Sequence, residues 1–168
     1  VDDLEGFSGR RMLVNRAYSG TEVIRDHGEQ AVEEGAVILY TSGDSVLQLA
    51  AHTGVVPLDE LYRLCEHARG LVNGPEVVMG RVIARPFVGD DAGSFSRTSE
   101  RRDYGLAPTG PTDMDRLVEA GYDVLAIGKI GDLFSGQGIT RSWHNESNMD
   151  GMEHVEQGVP QDFWGLCF

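Results

Sequence analysis

The amino-acid sequence predicts an α/β protein, an α+β two-layer sandwich with a mixed sheet and helices packed on it. Three observations lead there. Ala36–Tyr40 and Asp123–Ile127 are continuous apolar runs bounded by turn residues, which suits strands covered on both faces. Leu58, Leu61, Cys65, Ala68 and Val72 recur at helical spacing and give one apolar stripe. Strand-like and helix-like segments alternate along the chain, as in a sheet with helices laid on it.

Each element has its own signal. Arg11–Asn15 reads as a short strand. Ser19 and Glu22 have capping-box spacing, so a helix is expected to about Glu34, broken at Gly28 and ended by Gly35. Ser45 and Gln48 repeat that spacing and predict a second, short helix to about Thr53. Pro57 suits the first position of the following helix. Val77–Val88 reads as a long strand, and 89–103 as a polar, arginine-rich loop. Pro111 and Thr112 introduce a helix over Asp113–Ala120, ended by Gly121. Residues 131–138 read as a glycine-rich loop, Ile139–Trp143 as a strand, and Asn148 or Asp150 as the cap of a final helix. Phe163–Phe168 is an apolar strand without a polar tail. With no initiator Met, this predicts a segment of a longer polypeptide.

The 168 residues suit one domain, and the composition is that of a globular protein. No run approaches the roughly 18 apolar residues of a membrane span. The formal charge of −13 disfavours nucleic acid and anionic membranes as partners. Cys65 and Cys167 sit in apolar contexts and are expected to be two buried thiols in a reducing cytoplasm, not a disulfide. Thirteen of the fourteen basic residues are arginine, and Lys129 is the single lysine. Arginine offers a planar fork suited to phosphate or carboxylate.

Four stretches could carry chemistry. Thr41–Ser45 is expected to open a helix. Its backbone N–H groups would favour an anion and Asp44 would accept from sugar hydroxyls, unless Asp44 and Ser45 only cap the helix. Arg81 and Arg85 lie four apart on a strand and share a face, suited to a dianionic phosphate or to structural ion pairs. Arg97, Arg101 and Arg102 crowd a loop that could fold over an anion. Arg101 and Arg102 are expected to be ordinary solvated charges. Lys129 follows a buried strand between Gly128 and Ile130-Gly131, without P-loop spacing. The five histidines lack metal-site spacing, no nucleophile elbow is present, and no catalytic constellation is complete.

Taken together, several segments strongly resemble phosphopentomutase. They are Tyr18-Ser-Gly-Thr-Glu-Val-Ile24, Tyr40-Thr-Ser-Gly-Asp-Ser-Val46, Gln48-Leu-Ala-Ala-His52, Pro57-Leu-Asp-Glu-Leu-Tyr-Arg63, Gly80-Arg-Val-Ile-Ala-Arg-Pro-Phe87, Gly121-Tyr-Asp-Val-Leu-Ala-Ile-Gly-Lys-Ile130 and Asn148-Met-Asp-Gly-Met152. They run in the family's order over nearly the whole chain.

The resemblance implies an enzyme of the alkaline phosphatase superfamily that interconverts ribose or deoxyribose 1- and 5-phosphates in nucleoside salvage. It implies two Mn2+ ions, a phosphothreonine and a sugar bisphosphate activator. It also implies a metal-bearing core domain with an inserted cap. The chain resembles that cap, with about residues 1–10 and 163–168 as flanks leading to a core outside it. The nucleophile and metal ligands would then lie outside the chain. By motif match, Asp44, Arg81, Ile83 and Arg97 would contact substrate, with Ser42 and Gly43 adjacent and Lys129 a further member. Gly43 stands where relatives commonly have alanine. Two other functions fit the residues. One is a stand-alone sugar-phosphate binding module, and the other is the cap of a related mutase or phosphatase.

Overall fold

The computed structural model describes residues 1–74, 77–159 and 163–168. They form two compact units, Val1–Tyr104 and Gly105–Phe168.

The first unit is built on two strand–helix–strand crossovers joined by a hairpin. β1 (Met12–Ala17) leads through α2 (Gly20–Glu34) to β2 (Val37–Ser42), parallel to it. β3 (Val46–His52) returns antiparallel to β2, then leads through α3 (Leu58–Leu71) to the parallel β4 (Arg81–Val88). The short β5 (Ser96–Arg97) and β6 (Arg102–Gly105) both pair with β4. α1 (Asp2–Ser8) precedes β1. The mixed sheet with packed helices that the sequence predicts is therefore present.

Strand alternation sorts the core into two clusters. Val37, Leu39, Leu47, Leu49, Ala51, Val82 and Ala84 pack with Leu61, Leu64, Cys65 and Ala68 of α3 and with Leu4 of α1. Ile38, Tyr40, Ala50 and Phe87 point the other way and meet Val23, Ile24 and Ala31 of α2. Helices thus cover both faces. Burial pushes the Cys65 thiol well above its ordinary pKa. Both cysteines are free, but Cys167, expected to be buried, is partly exposed on the short strand Gly165–Cys167.

The largest departure from expectation is at Ser45. No helix follows it. Val46–His52 is an interior strand between β2 and β4. The capping-box spacing is a local signal, whereas Val46–Ala51 is apolar on both faces, and burial on two sides prevails. Gly43, Asp44 and Ser45 form the three-residue hairpin loop, with Ser45 in the left-handed region at φ 57°. Ser19 precedes α2 as expected but makes no side-chain cap bond, and α2 continues through Gly28. Gly35 ends it with φ 63°. Pro57 stands one residue before α3 instead of inside it. β4 begins at Arg81, later than expected, and the expected polar loop contains β5 and the start of β6.

The second unit carries a parallel three-stranded sheet ordered β8 (Arg141–Trp143), β7 (Asp123–Ile127), β9 (Gly165–Cys167). α4 (Asp113–Glu119), α5 (Ile130–Leu133) and α6 (Asn148–Gly158) pack on β7. Thr112 and Asp115 form a true capping box on α4, and the Ser147 hydroxyl caps α6. α5 occupies part of the expected 131–138 loop.

Arg10 ties the first unit together at one edge. Its guanidinium grips Glu60 of α3 at 2.5 and 3.0 Å and donates to the Gly35 carbonyl at 2.8 Å. The Arg10 hydrogen bond holds the Glu60 carboxyl below its ordinary pKa. Its stabilisation is therefore complete above the unfolded value and is lost as pH falls through the lower folded value. Glu60→Gln should cost roughly 1 kcal/mol at neutral pH, a Tm decrease of about 2–4 °C. The difference between variant and wild type should vanish in acid, as read by thermal unfolding across pH.

Candidate functional site

The face of the first unit's sheet that meets α2 turns polar beyond that helix's start. Cross-strand partners share a face, so the register places Tyr40 beside Gln48, Gln48 beside Ile83, Val46 beside Arg81, and Phe87 beside Arg97. Arg81, Ile83 and Arg85 alternate along β4 onto this same face. Ile83 is buried and floors the space between the two arginines.

A continuous polar chain runs across this face. The Tyr40 hydroxyl and Arg85 Nε both donate to Gln48 Oε1, at 3.1 and 3.0 Å. Gln48 Nε2 donates to Ser42 Oγ at 3.1 Å, and that hydroxyl donates to Asp44 Oδ1 at 2.6 Å. Asp44 Oδ2 stands 3.6 Å from Arg81. Arg81 also reaches Asp103 at 3.3 Å, and Arg101 grips both Asp103 oxygens at 2.6 and 2.7 Å. The hairpin loop is what aims Asp44 at Arg81. The Ser42 hydrogen bond, with a backbone bond and Arg81 behind it, lowers the Asp44 pKa, so the loop presents a carboxylate.

Arg97 sits on β5 at the edge of this face. Gly20, the first residue of α2, lies so close to the Arg97 guanidinium and the Tyr40 hydroxyl that a Cβ would collide with both. Any larger residue there would force the Arg97 guanidinium and the Tyr40 hydroxyl to move. Arg97 has no carboxylate within ion-pairing distance among the described residues. Beside it, Thr21, Ile24, Phe95 and Ser96 line an open cleft of about 300 Å³.

Of the residues singled out in the sequence, Ser42, Gly43, Asp44, Arg81, Ile83 and Arg97 fall on this face or its hairpin. Lys129 lies in the second unit, at the start of α5. The Asp44 loop joins two strands and offers no helix N-terminus to an anion, which corrects that expectation. Arg101, expected to be solvated, is bound to Asp103. Arg102 points to the opposite face, over the Tyr62 ring at 4.4 Å. Sequence reasoning passed over Gln48, Tyr40 and Asp103. Gln48 carried a readable signal, a polar residue inside the apolar run Val46–Ala51.

No family model matches the chain. Over all 168 residues it is 62% identical to phosphopentomutase of Limosilactobacillus reuteri (strain DSM 20016). It is 58% identical to that of Levilactobacillus brevis and 51% identical to that of Lachnoclostridium phytofermentans, again over the whole chain. Along its entire length, the chain is similar to phosphopentomutases. It spans 42–43% of the length of these relatives. The region shared with phosphopentomutases includes every residue of the polar face described above.

Gln48 is 5% exposed and satisfies three side-chain groups at once. Gln48→Ala would leave Tyr40 and Arg85 without their acceptor. A loss of about 2–3 kcal/mol is expected, visible as a lower urea midpoint with an unchanged slope.

Proposed function

We propose that this chain is the substrate-binding cap of a phosphopentomutase that interconverts ribose or deoxyribose 1- and 5-phosphates. What carries this reading is the gathering of Asp44, Arg81 and Arg97 on one sheet face, in a chain similar throughout to phosphopentomutases. Arg81 and Arg97 would take the phosphate that is not reacting. Asp44, kept ionised by Ser42, would accept from sugar hydroxyls. Ser42 and Gly43 would shape the loop, and Ile83 would bound the sugar. Each charge-assisted bond of this kind contributes about 1.5–3 kcal/mol. A mutase intermediate must reverse between half-reactions, so one grip has to serve both orientations.

The nucleophilic threonine and two manganese ions would belong to a core domain outside these 168 residues. Among the described residues, no three His, Cys, Asp or Glu side chains gather as a metal site requires. When bound in the core, the ions would stabilise charge on the transferring phosphoryl group, and a sugar bisphosphate would prime the threonine. Trp164, Met149, Met152 and Phe168 are exposed in the second unit and are apolar surface that such a core would cover. Cap closure would also shield the phosphoenzyme from water. The enzyme would act in the cytoplasm, in nucleoside salvage.

The complete polypeptide containing this segment should convert ribose 1-phosphate to ribose 5-phosphate with Mn2+, and the 168-residue chain alone should not. Arg81→Ala and Asp44→Asn in the complete polypeptide should each lower kcat/KM by about 10- to 100-fold. Manganese-dependent turnover by the isolated chain would overturn the division between cap and core. Equal turnover of pentose and hexose phosphates would overturn the substrate assignment.

A further inference from the structure

We infer that Arg85 is an additional phosphate-contacting residue of this face and that Gln48 is the positioning residue that holds it; this rests on the sugar-phosphate reading above. Arg85 is half-buried on β4, and burial, with Arg101 next, pushes its pKa below the ordinary arginine value. A guanidinium taken out of water normally has a carboxylate beside it. Arg10 has Glu60, and Arg81 and Arg101 share Asp103. Arg85 has no carboxylate within ion-pairing distance among the described residues. Its Nε donates to the neutral amide of Gln48, while its two terminal nitrogens make no hydrogen bond within the described residues and are not sealed from solvent.

The choice of an amide is the informative part. Glutamine fixes the direction of the fork as a carboxylate would, yet leaves its charge uncancelled. Arg81, Arg85, Arg97 and Arg101 face Asp44 and Asp103 on this surface, which leaves two positive charges over in a chain whose net charge is −13. The two unpaired groups are Arg85 and Arg97, and each lies close enough to lower the Tyr40 pKa against the effect of burial. Two forks and two excess charges match a phosphate monoester dianion. Gln48 Nε2 also holds Ser42, so the same side chain that aims Arg85 sets the hydroxyl that orients Asp44. Phosphate grip and sugar recognition would therefore share one buried support.

The test uses the complete polypeptide, with ribose 5-phosphate as substrate and inorganic phosphate as competing anion. Arg85→Ala should raise KM and the phosphate inhibition constant by about 10- to 100-fold, with a smaller change in kcat, and Arg85→Lys should recover part of the loss. Gln48→Glu gives Arg85 a carboxylate partner. It should keep or raise Tm while weakening phosphate inhibition at least about fivefold, an outcome that a purely structural role would not produce. A folded Arg85→Ala with unchanged KM and phosphate inhibition overturns the inference. If that variant does not fold, unchanged phosphate inhibition in Gln48→Glu overturns it instead. Should Asp44→Asn and Arg97→Ala also leave ribose 5-phosphate turnover untouched, the sugar-phosphate reading itself fails and takes this inference with it.

Discussion

The buried amide of Gln48 is the constraint on which the polar face depends. It lies on an interior strand, where a polar group without partners is costly. Its neighbours are fixed by strand register: Tyr40 on one side, and Ile83 with Arg85 on the other. One oxygen and one nitrogen serve three side chains there, so moving any one of them disturbs the rest. The hairpin is part of the same unit, because Ser42 and Asp44 hang from the nitrogen side of that amide.

Charge is distributed on this face with a clear division. The Asp103 side chain is 7% exposed and sits between Arg81 and Arg101, so that part of the cluster is an internal ion network. A buried carboxylate between two guanidinium groups fixes geometry more than it adds stability. Asp44 is the opposite case, a largely exposed carboxylate on a loop tip with one side held by Ser42. Arg85 and Arg97 have no carboxylate within ion-pairing distance among the described residues. An acidic chain that leaves two arginines uncompensated at one place concentrates positive potential there.

The two crossovers explain why the site lies where it does. α2 covers only part of its sheet face, because its first residue, Gly20, closes directly onto Tyr40 and Arg97. Beyond that point, within the first unit, the face carries the polar side chains of β2, β3, β4 and β5. The other face is covered by α1 and α3 over an apolar core, with Arg102 lying over the Tyr62 ring at its margin. The bidentate Arg10–Glu60 pair, with its bond to Gly35, holds the ends of both crossover helices at one edge.

Much of this could be read from residues alone. The apolar runs at Ala36–Tyr40 and Asp123–Ile127 have few alternatives to buried strands, and the stripe from Leu58 to Ala68 has none to an amphipathic helix. The four-residue spacing of Arg81 and Arg85 already placed both on one face, since side-chain period in a strand is fixed by covalent geometry. What failed was the Ser45–Gln48 spacing, a local pattern overruled by burial of Val46–Ala51 between two other strands. The sequence by itself determined which residue types were available and which faces they would share. Only tertiary structure decided that Gln48, Arg85, Arg97, Asp103 and Gly20 meet, because strand register and crossover connections bring together residues tens of positions apart, and no local energy term encodes that pairing.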